Sequence, residues 1–471
     1  MRNSKWIACC LGSALTLVGL PAGAEQGAPS NKAAEKATEQ DLVELADEAY
    51  VYALPLMLLD ATTQAVTNVA SPTGHRAPWN QFARVDVLPD AKFSAVVLPN
   101  VDTLYTSAML DLSREPVVLH VPDTQGRYYL MPMLDAYTNV FAAPGKRTTG
   151  TGELKVAIVG PHFKGKLPKG LTKIEAPTDR VWLLGRTQIN GKEDLPKVIE
   201  LTNKYTLTPL SAYGKAYLPP KGRVDPEVDM QTPPPRQIAN LGDQAYFERA
   251  ALLLKQFPPP AADKPQLARF AKLGFGPGKF MPSPEADKAI QGTGARATKL
   301  LKAHLAEIGQ PRNGWRLTTE AGSYGTNYEV RAAVALWALG ANLPEDALYP
   351  ATSRDAEGQP LNGNHRYVIH FPKGQEPPAH AFWSLSMYNG AGYFVDNPIG
   401  RYAIGSRDAL QRNPDGSLDL LLQSDAPQGE LLANWLPTPQ GPFQLLMRIY
   451  WPDQKVMDGA WELPAVIRLK P

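Results

Sequence analysis

The chain has 471 residues, 44% of them hydrophobic, more than one ordinary core accommodates and enough for two or three. Basic and acidic residues nearly balance, 48 against 46, and no block of like charge stands out. That balance argues against nucleic acid, which needs a clustered positive surface, and against a polybasic membrane contact.

At the start, Arg2 and Lys5 precede the mostly apolar run Trp6–Leu20, and the small residues Ala22-Gly23-Ala24 stand before Glu25. This is the pattern of a cleavable secretory signal, with cleavage expected after Ala24. The apolar run is shorter than the ~20 residues of a membrane-spanning helix, so no transmembrane anchor is expected. Removing the leader removes both cysteines, Cys9 and Cys10, and the two surplus positive charges. A neutral, thiol-free protein of the periplasm or the extracellular space is the expectation.

Residues 25–40, rich in Ala, Lys, Glu and Ser without apolar periodicity, read as a flexible segment. From Thr38 the positions Leu42, Leu45, Ala46, Ala49 and Ala53 predict a helix that Pro55 bends or ends. Between Lys92 and Ile189 the period falls to two, and Asp123-Thr124-Gln125-Gly126 reads as a hairpin turn between Val117–Val121 and Arg127–Leu134. Asp194 and Pro196 open a helix. The proline-rich stretch from Leu218 to Arg236 reads as a stiff connector. Helical patterns follow at Asp243–Gln256, Pro284–Ile308 and Asn327–Leu339, then short strands at Arg366–Phe371, Ala381–Tyr388, Leu418–Leu422, Phe443–Tyr450 and Ala465–Leu469. The expected fold is mainly β with a helical portion: an N-terminal β-sandwich over 41–235, a helical insert over 236–345 and a C-terminal jelly-roll-like sandwich over 346–471.

Familiar catalytic signatures are missing: there is no Gly-x-Ser-x-Gly, Ser-x-x-Lys, Walker loop, His-Glu-x-x-His or Cys-x-x-Cys in the mature sequence. His365 and His370, at odd spacing on one strand, point to opposite faces, so neither a metal nor a cofactor is expected. Asn413-Pro414-Asp415-Gly416 reads as a hairpin turn in preference to a calcium loop.

Candidate chemistry gathers in two clusters. Asp102 shares parity with Leu104, Ala108, Leu110 and Leu112, which turns a carboxylate inward, where it either organises a polar network or serves as an acid or base. Arg127, Tyr129, Met131, Met133 and Asp135 share one face of a second run unless Pro132 breaks it. Asp102 and Asp135 are therefore a candidate acid–base pair, with Tyr105, Arg127 and Asn139 positioning a substrate and Trp383 and Tyr388 walling an interdomain cleft. The other reading of those aromatics is a sandwich core with satisfied polar tips.

The motifs Asn100-x-Asp102-Thr103-Leu104-Tyr105, Arg127-Tyr128-Tyr129, Asp135-x-Tyr137-Thr138-Asn139 and Gly185-Arg186-Thr187 resemble one domain of a bacterial family, and Leu361-Asn362-Gly363, Phe382-Trp383-Ser384, Asn397-Pro398-x-x-Arg401-Tyr402, Asp415-Gly416-Ser417, Asn434-Trp435-Leu436-Pro437 and Arg448-x-Tyr450 the other. That family joins domain of unknown function 1254 to domain of unknown function 1214. The resemblance implies a β-sandwich, a helical portion and a C-terminal jelly roll, and carries no catalytic residue set. The leading functional expectation is a cofactor-independent hydrolase of a small polar or envelope-derived substrate. The alternatives are a binding protein for a sugar or an aromatic metabolite, and an envelope or host-facing interaction protein.

Overall fold

The computed structural model describes residues 31–93, 97–305 and 307–470. The leader read from Met1 to Ala24, with its cleavage point and both cysteines, lies outside the described residues. Among the described residues no helix is long and apolar enough to cross a membrane.

The architecture is mainly β, with helices between two β regions. In the first region a six-stranded sheet runs in the order Ala83–Arg84, Thr103–Asp111, Arg180–Gln188, Met133–Leu134, Val140–Ala142, with Tyr129–Leu130 also paired to Arg180–Gln188. A four-stranded sheet, Thr206–Pro209, Val117–Val121, Leu154–Val159 and Thr172–Glu175, lies against it. Ala108, Leu110, Val117, Leu119, Met133, Ile158 and Leu183 meet between the two sheets, as alternation along each strand requires. The second region repeats the scheme with seven strands centred on Ala379–Asn389 and Phe443–Pro452, and four strands, Trp435–Pro437, Leu418–Gln423, Tyr367–Phe371 and Val466–Arg468.

The helix Asn31–Thr67 begins ahead of Thr38 and continues through Pro55. Every residue from Ala49 to Ala61 is buried, and the helix packs against those at Pro234–Ala239, Asp243–Gln256, Pro284–Ile290, Thr293–Leu305 and Tyr328–Trp337. Burial on all sides offsets the ~3 kcal/mol that an interior proline costs. The helical portion is therefore completed by a segment from the far end of the first β region.

Two turn expectations are corrected. Asp123–Gly126 does not close a hairpin: Val117–Val121 belongs to the four-stranded sheet and Tyr129–Leu130 to the six-stranded one. Pro132 interrupts the following run, leaving Tyr129–Leu130 and Met133–Leu134 as separate short strands. Asn413–Gly416 is a tight turn, with Gly416 N–H donating to Asn413 C=O at 2.8 Å. It leads into Leu418–Gln423 without a strand paired across it, since the strand before it lies in the other sheet.

Candidate functional site

Asn100 decides where Asp102 points. Its Oδ1 accepts from the backbone N–H of Asp102 and of Thr103, both at 2.9 Å, a turn that ends the strand alternation at Thr103. Asp102 consequently leaves the sandwich core and enters the seam between the two β regions, where it is 0% exposed. Its Oδ2 accepts from the Ser384 hydroxyl at 2.6 Å and its Oδ1 from the guanidinium of Arg407, which stacks 4.2 Å over the Phe382 ring.

The same seam collects other polar groups from both sides. Arg186 donates to Asn342 Oδ1 and Gly340 C=O and lies over the Tyr105 ring, while the Tyr105 hydroxyl accepts from Asn100 Nδ2 at 2.8 Å. Arg448 donates to Ser386 Oγ at 2.7 Å and Leu98 C=O at 2.9 Å, and the Tyr388 hydroxyl donates to Pro99 C=O at 2.6 Å. These side chains come from the even positions 384, 386 and 388 of one strand and from Arg448, register partner of Ser384. Trp383, at an odd position, faces the opposite way into the C-terminal core with Leu385 and Met387. Trp383 and Tyr388 therefore cannot wall one cleft.

Asp135 is elsewhere. Leu134 pairs with Trp182 near one end of the Arg180–Gln188 strand, and Asp102 C=O accepts from Ile189 N–H just past the other. Seven residues of strand put the two carboxylates roughly 20 Å apart, so the acid–base pair is not formed. Asp135 instead builds a corner: its Oδ1 accepts from the backbone N–H of Tyr137 and of Asn139, both at 2.9 Å, and Thr138 takes a positive φ of 68° between them. The corner anchors Tyr137, whose hydroxyl donates to Phe257 C=O at 2.7 Å in the helical portion. Asn139 reinforces this corner, its Nδ2 donating to the Asp135 carboxylate and its Oδ1 accepting from Tyr324 N–H, both at 3.4 Å. Arg127 forms a two-pronged ion pair with Asp194, at 2.5 and 2.9 Å, and donates to Gln188 C=O, tying a strand end to the helix Leu195–Asn203.

Burial raises the Asp135 carboxyl to about 6 despite the hydrogen bonds from Asn139, the neighbouring positive charge of Arg331 and the Tyr137 amide, all of which lower it. The folded state thus holds this proton more tightly than the unfolded state between about pH 4 and 6, and stability from this group is lost as pH rises through that window. Asp135→Asn retains an acceptor for both turn amides, so it is expected to raise stability at pH 7 by roughly 2 kcal/mol and to flatten the pH dependence between 4 and 6 in chemical denaturation. An unchanged slope across that range refutes the assignment.

A cavity of about 530 Å³ lies elsewhere, where the long helix, the Asp243–Gln256 helix, the start of the Arg180–Gln188 strand and the connector segment 222–228 meet. Asp60, 3% exposed, forms its floor: Oδ1 accepts from Arg180 at 2.7 Å, and Oδ2 from Arg249 and, at 2.9 Å, from Gln64. Pro78, Trp79, Val228, Leu252 and Leu253 supply apolar walls. The connector is held there by reciprocal bonds between the Asn68 side chain and the Asp225 backbone, at 2.9 and 2.7 Å. Gly222 fits because a Cβ would stand 2.2 Å from Val69 C=O.

Sequence reading missed Asp60, Arg180, Arg249 and Trp79. A signal existed for Asp60: it closes the apolar run Leu54 to Leu59, and a carboxylate in such a run needs a buried partner. Arg407, which pairs with Asp102, stands in no motif that sets it apart.

Two β-sandwich regions, a helical portion completed by the N-terminal helix and a buried polar seam define a β-rich two-domain protein. The family described as "Protein of unknown function (DUF1254)" matches residues 79–209, and that described as "Protein of unknown function (DUF1214)" matches residues 346–454. The chain belongs to the family that pairs these two domains. Among solved structures it is similar to the VPA0106 protein from Vibrio parahaemolyticus, at 24% identity and a TM-score of 0.70, over 91% of this chain and 100% of that one. This likeness shows the fold. An uncharacterised protein from Burkholderia cenocepacia aligns over 93% of this chain and 96% of its own at 13% identity and a TM-score of 0.43, and carries no argument. No curated protein matches the sequence.

Proposed function

We propose that the protein binds a small organic molecule in the cavity between the long helix and the first β-sandwich, without turning it over. The observation that carries this reading is the cavity itself: about 530 Å³, a ligand-sized volume, with apolar walls and a few convergent polar groups at its floor. The hydrolase reading rested on a carboxylate pair, and Asp102 and Asp135 stand at opposite ends of one strand. In the cavity the one buried carboxylate, Asp60, is engaged by two guanidinium groups and an amide, which suits it to organise the floor more than to transfer protons. The leader-like residues 1–24 support a periplasmic or secreted setting for this binding.

A thermal-shift screen of small organic molecules tests the proposal. A ligand is expected to raise the melting temperature with increasing concentration in the wild type and to shift Val228→Trp, whose indole takes up part of the cavity, far less. Equal shifts in both proteins place the binding elsewhere and overturn it.

A further inference from the structure

The geometry points to a monocarboxylate on an apolar, ring-bearing body as the ligand of this cavity, an inference that rests on the binding reading above. Charge is the first ground. Asp60 is one carboxylate between two guanidinium groups, and Arg223 and Asp225 on the lining balance each other, so the cavity carries one uncompensated positive charge. A single negative charge completes it.

Donor geometry is the second. Among the described residues Arg180 donates from its guanidinium only through Nη1, to Asp60, which leaves Nη2 unengaged, while its enclosed Nε has no partner and no access to the cavity. Arg249 uses Nε and Nη2 on Asp60, which leaves Nη1 unengaged on a side chain about a third open. Guanidinium forks match a carboxylate in shape as well as charge, as their grip on Asp60 already shows.

The neutral polar groups on the lining point the same way. Thr63 and Thr67 turn their hydroxyls back onto helix carbonyls, at 2.6 and 2.8 Å, the Asn68 amide is tied to Asp225 and the Gln64 amide to Asp60, which leaves the amide of Gln256. A sugar, which needs many neutral hydrogen-bond partners, meets few here. The walls suit a ring instead: Trp79 and Leu252 are exposed at the mouth, and Arg180 already lies 4.5 Å over the Phe257 ring and 5.9 Å from that of Trp79.

Indole-3-acetate and its near-isosteric neutral partner indole-3-acetamide separate charge recognition from cavity filling, measured by calorimetric titration of the full chain. The acid is expected to bind at least about tenfold more tightly than the amide, and Arg249→Gln, which keeps a donor for Asp60, to bring the two affinities within about twofold of each other. Equal affinities for acid and amide in the wild type, both weakened by Val228→Trp, overturn the carboxylate assignment and leave the cavity-binding reading standing. Binding of either compound that Val228→Trp does not weaken, or no binding of either at millimolar concentration, overturns the assignment as well. Melting temperatures of Arg249→Gln and Val228→Trp near that of the wild type establish that both variants fold.

Discussion

Asp102→Ala is expected to lower folding stability by about 3–5 kcal/mol, because it strands the Arg407 guanidinium and the Ser384 hydroxyl in a seam where the carboxylate is fully buried. The loss is not confined to one region. Asp102 belongs to the first β region and both of its partners to the second, so weakening this contact loosens their union. Calorimetry is expected to show the wild-type transition broaden or split in the variant. Asp102→Asn, which keeps an acceptor for Ser384 but no charge for Arg407, should fall between the two. A wild-type melting curve for Asp102→Ala would remove the structural assignment and restore a chemical role for this carboxylate.

Asp60→Ala carries an expected loss of similar size, about 3–5 kcal/mol, since Arg180 and Arg249 would then face each other without their shared counter-charge. A companion variant separates this from simple loss of packing. Buried ion networks exchanged whole for apolar groups of similar volume are often neutral or better, so Asp60→Leu combined with Arg180→Met and Arg249→Met should recover most of the stability in denaturant melts. That triple variant should also fail to hold a carboxylate ligand. If it is as unstable as Asp60→Ala alone, the damage comes from the helix and not from unbalanced charge.

Much of the fold was legible because the central strands Thr103–Asp111, Arg180–Gln188, Ala379–Asn389 and Phe443–Pro452 run 9 to 11 residues, long enough for a strand pattern to show. The helix at Asp243–Gln256 matches its expected span, and the C-terminal strands fall within a residue or two of theirs. Pro55 does not end the helix because local propensity is a weaker term than burial on every side of it. The Asp123–Gly126 hairpin misled because turn chemistry reports that the chain reverses, and not which sheet it rejoins.

For the candidate site, the buried character of Asp102 was readable from its place beside an apolar strand, and Asp135's from the cluster around it. Their separation was not. It depends on which strand each segment joins, and the Arg180–Gln188 strand that both border is remote from them in sequence. The opposite facing of Trp383 and Tyr388, an odd number of positions apart, could have been taken from parity alone. The cavity draws on the long helix, one strand start, a second helix and a proline-rich connector, four segments with no shared motif.

The long helix and the helices that cover it are far apart in the order of synthesis. About 170 residues separate Thr67 from Pro234, where the first of them begins. At ~5–20 residues per second a ribosome takes on the order of ten seconds to supply that first partner. Until then the most apolar stretch of the helix, Leu54 to Leu59, lacks the helices that make up most of its cover, with only Ala136 and Tyr137 of that cluster lying in the chain between. A chaperone that holds the chain before its helical portion closes therefore meets, in Leu54 to Leu59, an apolar segment whose covering helices come late in the sequence.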